Sequence, residues 1–121
     1  MAGAAGQRTV VVVDDHAMFR TGVKAELTGR VDVLGEAADV DEAVEAVLRL
    51  RPEVVLLDVQ LPDLDGFAVA ERLAALHEPP RVVLISSRDA AAYGPRLDAA
   101  PACGFLAKRE LSGASLAALV G

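Results

Sequence analysis

Four short apolar runs in this chain each end on a residue that can handle phosphate or metal. The run over 10–13 ends at Asp14 and Asp15, and the run over 54–57 ends at Asp58. The run over 82–85 ends at Ser86, and the run over 104–107 ends at Lys108. Apolar runs of this length read as buried strands. In an open parallel sheet the carboxyl ends of the strands share one edge, where ligands bind. Three carboxylates, a hydroxyl and an ammonium are therefore expected to converge. Crowded carboxylates resist full ionisation. A hard cation with oxygen ligands relieves that repulsion. A carboxylate can also attack phosphorus, and an ammonium beside a cation neutralises charge on a transferring group.

The elements that must position these residues alternate strand and helix. Strands are expected over 9–14, 31–37, 53–57, 81–86 and 103–108. Helix 1 carries Phe19, Val23 and Leu27 on one face. Asp39 and Glu42 make a start like a capping box for helix 2, whose buried stripe is read as Ala43, Val44, Val47 and Leu48. Pro52 stops it. The stretch over 60–66 holds turn residues, with Asp63 and Asp65 as loop or cap residues and Pro62 and Gly66 shaping the turn. Helix 3 bears Val69, Leu73 and Leu76, and Ser112 can cap a short last helix with Leu116, Leu119 and Val120. The alternation argues an α/β fold, a doubly wound (βα)5 parallel sheet with helices on both faces. Strands 1, 3 and 4 are uninterruptedly apolar and belong in the centre. Strands 2 and 5 are mixed or short and belong at the edges. This gives the flavodoxin-like order 2-1-3-4-5, with its switch point between the strands ending in Asp14 and Asp58. Helix 4 should lie within 89–101, but Gly94 and Pro95 sit in its middle, so a short or irregular helix is expected. Cys103 reads as a small buried strand residue, and Tyr93 as a packing residue.

Bulk properties set limits. The 121 residues form one domain, read as a loose leader over 1–8 and a folded unit over 9–121. Aromatics are only 3%, so the core must be built from Val, Leu, Ala and Ile. A net charge of -6 leaves no basic surface for nucleic acid. No apolar run approaches the length that spans a bilayer, and Met1 to Gln7 lacks a signal pattern. One cysteine excludes an intrachain disulfide. A cytoplasmic protein is the expectation, and the preference for Arg over Lys hints at a GC-rich bacterial genome.

The residues Val13-Asp14-Asp15-His16, the stretch from Leu57-Asp58 through Pro62 to Gly66, Ser86, and Gly104-Phe105-Leu106-Ala107-Lys108 together resemble a response-regulator receiver domain, of the NarL/FixJ-like kind. That resemblance implies phosphorylation-controlled two-component signalling. Asp58 would accept a phosphoryl group from a sensor histidine kinase. Asp14, Asp15, Asp58 and the backbone carbonyl of Gln60 would hold Mg2+ or Mn2+, with Asp14 acting through water. Ser86 and Lys108 would contact the phosphoryl oxygens, and Ser86 with Phe105 would form the switch. The family implies an output domain, C-terminal or separate, and leaves homodimer formation open. The resemblance implies no enzyme activity beyond the domain's own phosphorylation and dephosphorylation. His16 is given no direct role. Gln60 should influence water access and so the lifetime of the acyl phosphate. Arg109 replaces the proline that many receivers carry after the lysine, so a trans bond is expected there. Gly94, Pro95 and Pro101 depart from the family around helix 4 and put its usual output face in question.

Other functions compete. A metal-dependent phosphatase with an Asp nucleophile needs two acids separated by one residue, whereas Asp14 and Asp15 are adjacent. A nucleotide- or flavin-binding module needs a glycine-rich cradle, which Asp15-His16-Ala17-Met18 is not. A receiver-like binding module that is never phosphorylated would not need the complete acid, hydroxyl and lysine set.

Overall fold

Five parallel strands form one sheet in the order β2-β1-β3-β4-β5 in the computed structural model, which describes residues 7–62 and 65–120. The strands are β1 Arg8–Val13, β2 Val31–Ala37, β3 Val54–Asp58, β4 Arg81–Ser86 and β5 Gly104–Ala107. The helices are α1 Ala17–Leu27, α2 Val40–Leu50, α3 Gly66–Ala74, α4 Pro95–Ala99 and α5 Gly113–Val120. The expected order is observed, with the continuous apolar strands inside and the mixed ones at the edges. β2 and β4 match their expected bounds, and the other strands differ at their ends by a residue or so. Most of the expected leader, over 1–6, lies outside the described residues, as does Asp63.

Strand alternation divides the core into two layers. Val11, Val13, Val55, Leu57, Val82 and Leu84 face α2 and α3. Val10, Val12, Val54, Leu56, Val83 and Ile85 face α1 and α5. Residues 10–13 and 54–57 have no exposed surface, which is why these stretches carry no polar residue. β1 and β2 slip by one position between Val10 and Val11, leaving Leu34 as a bulge in the edge strand.

Helix ends follow the sequence signals. Asp39 accepts a hydrogen bond from the Glu42 N–H at 2.9 Å, and the Glu42 carboxylate returns one to the Ala38 N–H at 2.8 Å. Asp65 caps α3 by accepting from the Ala68 N–H at 2.9 Å. Ser112 caps α5 through the Ser115 N–H at 3.0 Å. The segment before β5 is broken as expected, into a 3-10 turn over Ala90–Ala92 and the five-residue α4, separated by Gly94 at φ +54°. Neither piece buries a residue. No described peptide bond is cis, so the bond from Lys108 to Arg109 is trans.

Three local expectations need correction. The buried stripe of α2 is Val40, Ala43, Ala46 and Val47, and Leu48 is 58% exposed. Ala46 lies under the sheet because α2 packs closely on β2: a Cβ on Gly35 would stand 2.8 Å from Leu50 Cδ1. Cys103 is exposed and precedes β5, although its N–H already pairs with the Val82 carbonyl at 2.8 Å. Gly66 is the first residue of α3 and has no unusual φ. A Cβ there would meet the Asp58 carbonyl oxygen at 2.3 Å and Val59 Cα at 2.6 Å, so its smallness brings α3 against the end of β3.

Candidate functional site

Each chemistry-bearing residue stands where a strand stops. Asp14 follows β1, Asp58 and Ser86 are the last residues of β3 and β4, and Lys108 follows β5. Asp14, Asp58 and Ser86 are buried, and Asp15 is exposed at the rim. The same local device orients three of them. Asp14 Oδ1 accepts from the His16 N–H at 2.7 Å, Asp58 Oδ1 from the Gln60 N–H at 2.9 Å, and Ser86 Oγ from the Arg88 N–H at 3.0 Å. A short polar side chain that bonds the backbone two residues on closes a turn and fixes its own direction.

Lys108 links the acids. Its Nζ lies 2.5 Å from Asp14 Oδ2 and 3.3 Å from Asp58 Oδ2. Phe19, on the first turns of α1, places its ring centroid 4.3 Å from the same ammonium, a cation–π contact. Arg20 donates to the Asp14 backbone carbonyl at 2.5 Å and pairs with Glu36 at 2.7 Å, so α1 and β2 both hold the β1 turn. Burial pushes the Asp58 carboxyl above the ordinary carboxylate range, and the Asp14 charge adds to the effect against the Gln60 N–H and Lys108. Burial acts in the same sense on Asp14, but Lys108 and the His16 backbone N–H outweigh it and hold that group low. The buried pair is therefore unequal, with Asp14 held low by its donors and Asp58 pushed up by burial.

The residues fit a cation. One ligand atom each from Asp14, Asp15, His16 and Asp58 lies within 4.8 Å of the others. Asp14 Oδ2 is buried, and among the described residues its polar contact is the Lys108 ammonium drawn up as counter-charge. Oxygen donors of this kind suit Mg2+ or Mn2+.

Ser86 reaches the same edge but its hydroxyl looks elsewhere. Ser86 Oγ lies 2.5 Å from Tyr93 Oη, and among the described residues no hydrogen bond joins it to Asp58 or Lys108. Tyr93 stacks edge-on to Phe67 at 5.7 Å between ring centroids and lies 6.0 Å from Phe105. Four residues of the site were given other readings or none in the sequence. His16 Nδ1 sits 3.0 Å from Asp14 Oδ1 and 3.1 Å from Asp15 Oδ1. Phe19, Arg20 and Tyr93 complete the set. The available signal for Phe19 and Arg20 was their place one turn beyond the acid pair. For Tyr93 there was none, because its partner depends on how the broken segment folds back.

Residues 10–120 match the family described as the response regulator receiver domain. The chain is 43% identical over 101 residues, 82% of its length, to a probable transcriptional regulatory protein, NarL, of Mycobacterium tuberculosis, and covers 47% of that protein. It is 34% identical over 114 residues to the response regulator GacA of Pseudomonas viridiflava, covering 92% of this chain and 51% of that one. The chain thus spans about half the length of these curated relatives. Among solved structures, the signal receiver domain of NarL from M. tuberculosis superposes with a TM-score of 0.81 at 39% identity, covering 95% of this chain and 98% of that one. The response regulator domain of Thermotoga maritima CheB gives 0.79 at 26% identity, covering 94% of each.

Proposed function

The chain belongs to the response regulator receiver family, and from that membership we propose that it is switched by transfer of a phosphoryl group from a histidine kinase to Asp58. The observation that carries this reading is the Asp58 carboxylate at the end of β3, with the Lys108 ammonium 3.3 Å away and the acids of β1 alongside. One Asp58 oxygen attacks phosphorus as the bond from phosphorus to the donor imidazole breaks, and the imidazole leaves with its electron pair. The result is an acyl phosphate on Asp58. Asp58 Oδ1 is committed to the Gln60 N–H, so Oδ2, facing Lys108, is the attacking atom. Lys108 shields the incoming phosphoryl charge from the Asp14 and Asp58 carboxylates. Asp14, Asp15, Asp58 and the Gln60 carbonyl would hold Mg2+ or Mn2+. When bound, that ion neutralises charge on the phosphoryl oxygens.

The modification adds about -1.5 to -2 charge if an acyl phosphate resembles other phosphorylated side chains. Ser86 and Phe105 respond to it, and the domain passes between two packings whose populations the charge shifts. The output domain, supplied by the rest of a longer protein or by a separate chain, reads that shift in a cytoplasmic setting. Among the described residues no helix is long and apolar enough to cross a membrane.

Incubation with acetyl phosphate and Mg2+, followed by intact-mass analysis, should show a single phosphoryl adduct. Asp58→Asn should abolish it, and chelation of the metal should suppress it. Absence of any adduct from the wild-type chain, with beryllofluoride also failing to bind, would sink the reading.

A further inference from the structure

We propose that Tyr93 is a positioning residue for Ser86: its hydroxyl holds the Ser86 hydroxyl away from the acids until a phosphoryl group on Asp58 captures it. The proposal rests on the phosphoacceptor reading of Asp58. Strand alternation places Ser86 with Leu84 on the α2 and α3 side of the sheet, and Asp58 with Leu56 on the α1 and α5 side. Ser86 Oγ is engaged on its own side, by the Arg88 N–H at 3.0 Å and Tyr93 Oη at 2.5 Å. A serine hydroxyl carries one hydrogen. Phosphoryl oxygens only accept, so Ser86 must give them that hydrogen and swing about its Cα–Cβ bond to a different staggered position. In doing so it leaves Tyr93.

Tyr93 is mounted where that loss is felt. It closes the 3-10 turn over Ala90–Ala92 and directly precedes Gly94, whose φ is +54°, and Pro95. No residue of the turn or of α4 is buried. Without the bond to Ser86, the ring keeps only apolar packing among the described residues, edge-on to Phe67, tilted against Phe105 and against the core beneath them. Phe105 has no hydroxyl and cannot make this bond. The residue that senses Ser86 through a hydrogen bond is therefore delivered by the segment before α4 and not by β5. The irregular segment becomes the part of the fold that registers the state of Ser86.

Tyr93 is the one tyrosine in a chain without tryptophan, so tyrosine emission reports it alone. With Mg2+ and beryllofluoride as the phosphoryl mimic, wild-type emission should change on binding. Unliganded Ser86→Ala should already show the emission of the bound wild type. Tyr93→Phe keeps the ring and removes a bond present only in the unliganded state. By calorimetry it should bind beryllofluoride about fivefold more tightly, the factor for one net hydrogen bond. Equal or weaker binding by Tyr93→Phe, or Ser86→Ala emission matching the unliganded wild type, overturns the proposal. If the wild type neither binds beryllofluoride nor forms an adduct with acetyl phosphate, the phosphoacceptor reading is what has failed.

Discussion

Glu36 shows how far the support of a single carboxylate reaches. It receives Arg20 at 2.7 Å and Lys24 at 2.7 Å, and Arg20 also grips the Asp14 carbonyl. Lys24 first, then Arg20, hold the Glu36 carboxyl below the usual glutamate range. A depressed acid contributes stability that is present above its unfolded pKa and lost as pH falls through its folded one. Denaturant midpoints should therefore decline on the acid side of pH 4.5, and Glu36→Gln should flatten that part of the profile. At neutral pH the variant should lose about 0.5–1 kcal/mol, as for a partly exposed ion pair. An unchanged acid limb would mean the pair does not form in solution. At this scale the sequence was legible for the shared-edge placement of Asp14, Asp58, Ser86 and Lys108, because each ends an apolar run and strand order alone brings such ends together. It was not legible for His16 or Tyr93, whose contacts depend on the course of turns. Leu48 was not legible either, because hydrophobicity does not carry the depth at which α2 lies on the sheet, which leaves Leu48 exposed.

At the scale of elements, the approach of α3 to β3 is what presents Asp58. The Gly66 N–H bonds the Val59 carbonyl at 2.6 Å, and Gln60 pairs with Asp65 as an isolated bridge, so the loop between them is pinched at its neck. Gly66→Ala would drive a methyl group into the Asp58 carbonyl. The expected outcome is a loss of about 1–3 kcal/mol in urea denaturation, the usual range for overpacking, with slower phosphorylation by acetyl phosphate. A variant of wild-type midpoint would show that the helix can retreat freely. α4 gives the opposite picture. It is tied down from outside, by Arg96 to Asp65 at 2.9 Å and by Arg96 over the Phe67 ring at 4.2 Å, while Arg109 pairs with Asp89 at the start of the 3-10 turn before it. The sequence announced the break at Gly94 and Pro95, because their backbone limits are local. It did not announce the tethers, which join residues far apart in the chain.

For the molecule as a whole, burying two carboxylates at one sheet edge is a cost that a cation can offset. Mg2+ should raise the thermal midpoint, and at a hundred times its dissociation constant it should add about 2.7 kcal/mol. Asp14→Asn should remove most of this increment in calorimetric scans. A midpoint indifferent to Mg2+ in the wild type would argue that no ion settles among these acids. Strand order, layering and the shared edge were all legible in advance, because apolar continuity sorts central from edge strands without knowledge of side-chain contacts. The slip between β1 and β2 was not, since nothing in Val31-Asp32-Val33-Leu34-Gly35 marks where a residue will be left over. That leftover residue, Leu34, twists one open border of the sheet, while the opposite border is only four residues long. Neither offers a long straight row of free amides for a foreign strand to extend, a geometry that disfavours fibrous self-association of a Val-rich domain.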